Sequence, residues 1–218
     1  MNQYHKINTV FKRTPDGKKI LMWDYSQPEF EYLATNDWVF TEKVDGTNIR
    51  VMYDGISLTF GGKTNNAQIP AKLFEYLNST FTKNLMNEVF PPVWEEGTEC
   101  WPQVCLYGEG YGLKIQKGGG NYIPNGVSFV LFDIKIGDWW LQRENVEDVA
   151  LKLGIETVPI IGEGTLYDLV NLCRAGFTSQ WGPFTAEGIV ARPKVELKTR
   201  SGSRIITKLK YKDFNDEV

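Results

Sequence analysis

One lysine in this chain stands where an amine can act as a nucleophile. Lys43 lies in Thr41-Glu42-Lys43-Val44-Asp45-Gly46-Thr47-Asn48-Ile49-Arg50, between the apolar run Trp38-Val39-Phe40 and a tight turn at Asp45-Gly46. The amine is thus expected at the end of a strand, where Gly46, lacking a side chain, lets a ligand approach the backbone. A lysine attacks only when neutral, which calls for nearby cations or desolvation. Lys208 and Lys210 are two apart on an expected strand and so share a face, one suited to phosphate; lysines so spaced also guard exposed sheet edges. Glu187, within Ala186-Glu187-Gly188-Ile189-Val190, is a carboxylate in a strand otherwise fit for burial, and needs a metal or a lysine as partner. Glu109, between Gly108 and Gly110, is open to a ligand on both sides. Phe132, in Phe129-Val130-Leu131-Phe132-Asp133-Ile134, is a flat ring that can stack on a planar ligand or fill a core.

The elements that must position these residues are mostly strands. Trp38 to Lys43, Asn48 to Tyr53 and Ile56 to Phe60 read as an antiparallel meander with Lys43 at its first corner, Ile49, Val51 and Tyr53 alternating against Arg50 and Met52. The loop Gly61-Gly62-Lys63-Thr64-Asn65-Asn66 follows, then a helix opened by Pro70 and a second over Lys83 to Phe90. A strand from Gln103 to Tyr107 runs into Gly108 to Gly112 and later the run Gly118-Gly119-Gly120; Val127 to Ile136 and Trp139 to Leu141 form a hairpin across Gly137-Asp138. Val146, Val149, Ala150 and Leu153 keep helical spacing, as do Leu166, Leu169, Val170 and Cys173 behind a capping box at Thr165 and Asp168. Thr185 to Arg192 and Ile205 to Tyr211 close the chain as strands. Residues 1–36 are turn-rich, with Thr14-Pro15-Asp16-Gly17 between two short apolar runs.

Composition narrows the chemistry. A single histidine, His5, near the start makes histidine triads and multi-histidine metal sites improbable, and three cysteines, Cys100, Cys105 and Cys173, are an odd count without paired zinc-ligand spacing. Catalysis must then use Lys, Glu, Asp or a bound metal. At 218 residues the expectation is a single domain spanning 1–218, its first 36 residues packed on the core. No apolar run approaches a membrane span, and the start lacks a signal-peptide core, so the expected location is cytoplasmic, with no membrane partner. Net charge is −3, yet Arg192, Lys194, Lys198, Arg200, Arg204, Lys208, Lys210 and Lys212 stand against Glu196 alone between 192 and 212, a local surface able to steer a nucleic acid.

Five pieces carry a resemblance in their order: Glu42-Lys43-Val44-Asp45-Gly46, Tyr107-Gly108-Glu109-Gly110, Phe129-Val130-Leu131-Phe132-Asp133-Ile134, Ala186-Glu187-Gly188-Ile189-Val190 and Lys208-Leu209-Lys210. Each alone is a weak signal; the ordered set is a strong one. The chain resembles the covalent nucleotidyltransferases, meaning polynucleotide ligases and messenger-RNA capping enzymes, and most closely the ATP-dependent RNA ligases. The resemblance implies an α+β nucleotidyltransferase fold (ATP-grasp-like, the ligase adenylation fold) of antiparallel sheets flanked by helices, holding ATP between the sheets. It implies that Lys43 attacks the α-phosphate of ATP, so that AMP becomes covalent on Lys43, then passes to a 5′-phosphate and is displaced by a 3′-hydroxyl. It further implies Mg²⁺ or Mn²⁺ held by Glu187, Glu109 on the ribose or the metal, Phe132 stacked on adenine, and Lys208 and Lys210 on phosphate.

Two positions tilt the resemblance toward RNA ligases. Asn48 falls where many DNA ligases and capping enzymes carry arginine. Lys63 falls where RNA ligases commonly direct an arginine at nucleotide or RNA phosphate; lysine keeps the charge and loses the bidentate fork. Glu42 is expected to accept from the adenine amino group and so favour ATP over GTP. Eight residues follow Lys210, too few for a C-terminal OB domain, so the expectation is an adenylyltransferase core acting as a monomer on RNA with 5′-phosphate and 3′-OH ends. DNA or hybrid nicks are the alternative substrates, and a nucleic-acid-end binding module without sealing activity is the alternative class.

Overall fold

The computed structural model describes residues 3–214, so the first two and last four positions of the expected 1–218 domain lie outside it. The chain divides into two compact units, one of residues 3–4 with Asp45–Val158, the other of His5–Val44 with residues 159–214.

The second unit is built on a five-stranded sheet in the order Asn8–Thr9, Thr207–Lys210, Gly188–Pro193, Trp38–Glu42, Ile160–Gly164. All neighbours are antiparallel except Asn8–Thr9, which runs parallel to Thr207–Lys210. Period-two alternation decides which residues go inside: Trp38, Phe40 and Glu42 are buried while Val39 and Thr41 are half-buried. The buried face, with Ile189, Ala191 and Leu209, packs on Leu166, Leu169, Val170 and Cys173 of the helix Leu166–Ala175 and on Phe11 and Phe30. Full burial of side chains of this size contributes about 1.5–3 kcal/mol each. The expected capping box is formed: the Thr165 hydroxyl accepts from the Asp168 N–H, and the Asp168 carboxylate accepts from the Thr165 N–H at 2.8 Å.

The first unit carries a six-stranded sheet whose path runs Trp139–Trp140, Val127–Ile136, Val104–Gly112, Thr47–Tyr53, Leu58–Gly61, with Glu156–Thr157 pairing parallel to Val127–Ile136. Ile49, Val51, Tyr53, Leu106, Phe129, Leu131 and Ile134 form its core with the helices Ala71–Thr80, Lys83–Val89 and Arg143–Leu153. The predicted packing positions Val146, Val149, Ala150 and Leu153 are all buried.

Three sequence expectations change. Trp38–Glu42 and Thr47–Tyr53 do not pair as a meander; they belong to different sheets. The switch falls at Gly46, where an added Cβ would lie 2.3 Å from the Gly110 carbonyl oxygen, so only glycine lets the chain turn and start pairing at Thr47 with Gly110. The strand expected over Gln103 to Tyr107 continues through Gly112: a Cβ on Gly108 would meet the Phe129 ring at 2.2 Å, and one on Gly110 would meet Leu73 at 2.4 Å. Those glycines serve close packing inside a sheet. Finally, Arg50 sits on the polar face of its strand but is 1% exposed.

Candidate active site

Lys43 directly follows the strand Trp38–Glu42, and its N–H donates to the Gly188 carbonyl at 2.9 Å, carrying the ladder one residue past the strand end. Gly188 is in turn the register partner of Lys210. Three adjacent strands therefore bring Lys43, Glu187 and Lys210 together. The Glu187 carboxylate joins them: its Oε2 accepts from Lys43 Nζ at 2.5 Å and its Oε1 from Lys210 Nζ at 2.6 Å. The three side chains are 20, 14 and 25% exposed, so this is a largely desolvated bridge and not a surface pair. The lysine partner that a carboxylate in this strand requires is thus present twice over. Lys208 shares the face of Lys210, as their spacing predicts, because Thr207 and Leu209 between and beside them are buried.

Glu42 lies on the other face of the same strand, Trp38–Glu42. Alternation puts it on the core face with Trp38 and Phe40, opposite to the face of Thr41 and Val39, and it is 1% exposed. Its Oε1 accepts from the Ser179 hydroxyl at 2.6 Å and its Oε2 from the Gln180 N–H at 2.8 Å. Burial raises its carboxyl above the usual range, and those two donors partly offset the rise. The side chain therefore braces the 179–180 loop, with both oxygens already engaged inside its own unit.

In the first unit, Asn48 and Glu109 are direct register partners. Asn48 Oδ1 is buried with no hydrogen-bond partner, an acceptor that a ligand hydroxyl or amine would satisfy. Gly46 lies against Glu109, which a Cβ there would approach to 2.7 Å. Phe132 occupies the irregularity between Leu131 and Asp133; it is half-buried and stands outside the core cluster that takes Phe129 and Leu131. Its ring meets Tyr4 edge-on, centroids 5.1 Å apart, and the Tyr4 hydroxyl donates at 2.6 Å to Asp133, which is fully buried. Lys63 is exposed on the loop after Leu58–Gly61. Sequence reasoning missed Arg50, Ser179, Tyr4 and Asp133 as parts of these arrangements; only Asp133 carried a signal, as a carboxylate amid Phe132 and Ile134.

Among the described residues no group of three or more His, Cys, Asp or Glu could hold a metal ion. Glu187 and Glu109 would each be a lone protein carboxylate. That suits a hard cation such as Mg²⁺ or Mn²⁺, which takes one or two carboxylates and completes its shell with phosphate oxygens and water. No helix among the described residues is long and apolar enough to cross a membrane.

Known proteins agree with this architecture. The Naegleria gruberi RNA ligase is similar in structure: a mutant with ATP and Mn at 17% identity and a TM-score of 0.64, covering 88% of this chain and 54% of that one; a mutant with AMP and Mn at 15% and 0.63, covering 88 and 54%; and the ligase with PPi at 17% and 0.60, covering 95 and 61%. The chain thus spans little more than half the length of these relatives. No curated protein matches it. The α+β fold is that of the nucleotidyltransferases. The family model described as RNA ligase matches residues 36–210, and the chain belongs to the RNA ligase family.

Proposed function

We propose that this chain is the adenylylating part of an ATP-dependent RNA ligase, with Lys43 as its nucleophile. The observation that carries the reading is the bridge in which one carboxylate, Glu187, holds the amines of Lys43 and Lys210 from the strands on either side of Gly188–Pro193. To react, Lys43 gives up a proton and its contact with Glu187. The Nζ lone pair forms a bond to the α-phosphorus of ATP as the bond to the pyrophosphate oxygen breaks, and pyrophosphate leaves. Lys210 and Lys208 share the face that suits the negative charge of the phosphates, positioned in advance by the strand that carries them. Glu187 would hold Mg²⁺ or Mn²⁺ together with phosphate oxygens, supplying positive charge where phosphoryl transfer develops negative charge. Asn48 and Glu109, opposed in register, supply acceptors for ribose hydroxyls, and Phe132 supplies a flat face for adenine. AMP then passes from Lys43 to an RNA 5′-phosphate, and a 3′-hydroxyl displaces it to form the phosphodiester.

The test is incubation with Mg²⁺ and α-labelled ATP or GTP, with Lys43→Ala as control. Label on the protein from ATP, absent from the variant, is the expected result. Label from GTP alone overturns the ligase reading, and label from neither turns it to an end-binding module. Charged protein is then offered 5′-phosphorylated nicks in RNA, DNA and hybrid duplexes; sealing confined to DNA would make it a DNA ligase.

A further inference from the structure

The loop that carries Lys63 is held by a buried cation that the proposed reaction does not itself use. Arg50 lies on Thr47–Tyr53 two residues beyond Asn48, on the same face of the strand, and is 1% exposed. Its Nε donates to the Gly62 carbonyl at 2.9 Å and its Nη2 to Asn65 Oδ1 at 3.0 Å, so one guanidinium grips the loop on both sides of Lys63. Gly61 makes room for the guanidinium and Gly62 for Ala67 across the loop. A Cβ on Gly61 would lie 3.0 Å from Arg50 Nη2, and one on Gly62 would lie 2.8 Å from Ala67 Cβ. Ala67 N–H closes the loop by donating to the Thr64 carbonyl. A planar fork with donors pointing two ways can do this, and a single ammonium cannot. Burying a guanidinium is costly unless its donors are met, so the loop and the arginine fix each other.

We propose that Arg50 is a positioning residue, fixing the loop through Gly62 and Asn65 so that Lys63 meets a phosphate of the nucleotide or of the RNA end. This rests on reading Lys63 as a phosphate contact. Without the grip, Lys63 would sample many loop conformers, and misplacement by about 1 Å costs up to about a hundredfold in rate.

The test uses the full chain in two arms: the rate of Lys43 labelling against ATP concentration, and transfer of AMP from charged protein to nicked 5′-phosphorylated RNA. Lys63→Ala is expected to lose about ten- to a hundredfold in one arm, and which arm it is tells nucleotide phosphate from RNA phosphate. Asn65→Ala, assayed well below its melting temperature, is expected to lose rate in that same arm, and Asn65→Asp, which keeps the acceptor, to recover it. Arg50→Lys should behave like Asn65→Ala. Lys63→Ala combined with Asn65→Ala should be no slower than Lys63→Ala alone, because a residue acting through Lys63 has nothing left to position. If Lys63→Ala matches the unsubstituted protein in both arms, the reading of Lys63 falls and the proposal falls with it; if the protein takes no label at all, both fall with the ligase reading. If Lys63→Ala is slow while Asn65→Ala and Arg50→Lys are not, or if the losses multiply in the double variant, Arg50 is structural only and this proposal alone is overturned.

Discussion

Replacing Glu42 by glutamine separates what its carboxylate does for the fold from anything it does for a nucleotide. The side chain keeps its volume, but one oxygen that accepts from Ser179 or Gln180 becomes an amide nitrogen that cannot. Losing one such bond in a buried site costs about 1–3 kcal/mol, and Glu42→Ala, which strands both donors, costs about 2–6 kcal/mol before any cavity is counted. A domain stabilised by about 5–15 kcal/mol tolerates the first change and comes close to unfolding with the second. The pH dependence has a definite sign. Burial raises the folded-state value above 4.5, so between 4.5 and the raised value the native protein binds more protons than the unfolded chain, and stability falls as pH rises. Glutamine has no such slope. The deficit of Glu42→Gln is therefore largest at acid pH and shrinks as pH rises through that window. Urea unfolding at a series of pH values reads it directly. A deficit that grows with pH would mean that the bonds from Ser179 and Gln180 outweigh burial, and the upward shift of the Glu42 carboxyl would be refuted. Labelling with ATP and GTP supplies the second readout: Glu42→Gln keeps its choice of ATP if the carboxylate serves only the 179–180 loop, and a shift toward GTP would restore the adenine contact.

Two further changes probe the first unit. Gly46→Ala forces a methyl to 2.3 Å from a backbone oxygen that the sheet holds in place; overpacking of this kind costs about 1–3 kcal/mol, and displaced Glu109 should slow Lys43 labelling about tenfold or more, so an unchanged melting point and rate would refute the close approach. Tyr4→Phe keeps the ring contacts with Phe132, Tyr107 and Trp140 but removes the hydroxyl that donates to buried Asp133. It should lower the urea midpoint by an amount worth about 1–3 kcal/mol, and an unshifted midpoint would show that the hydroxyl contributes nothing to holding Asp133.

Much of the fold was legible where a local period or a local rule governs. The two helices with four spaced apolar residues and the Thr165 capping box formed as written, because helix faces and caps are decided within a few residues. Strand existence was legible too; strand partnership was not. The residues 38–43 and 48–53 look like a hairpin because their turn is short, and nothing within that stretch reveals that Trp38–Glu42 pairs with Gly188–Pro193, about 150 positions away. The glycines of 108–112 hid the continuation of their strand for a related reason. Glycine marks a loop when the chain must bend, and a sheet when a neighbour must come close, and the neighbours here, Phe129 and Leu73, are distant in sequence.

The same distinction sorts the candidate site. Lys43, Glu187 and Lys210 were legible as chemistry because each breaks a local expectation, a charge at the edge of an apolar strand, and such a charge must find a partner. Their shared bridge follows once the register is known, since Gly188 lies against both the Lys43 N–H and Lys210. Glu42 breaks the same expectation and finds its partners, Ser179 and Gln180, on the other face, because one step along a strand turns a side chain over. Arg50 fits no local expectation at all: an arginine alternating with Ile49 and Val51 reads as a solvent-facing residue, and only the return of the chain through Gly62 and Asn65 makes it buried. A charge at the edge of an apolar strand thus announces locally that it needs a partner, and only the pairing of distant segments decides which partner it gets.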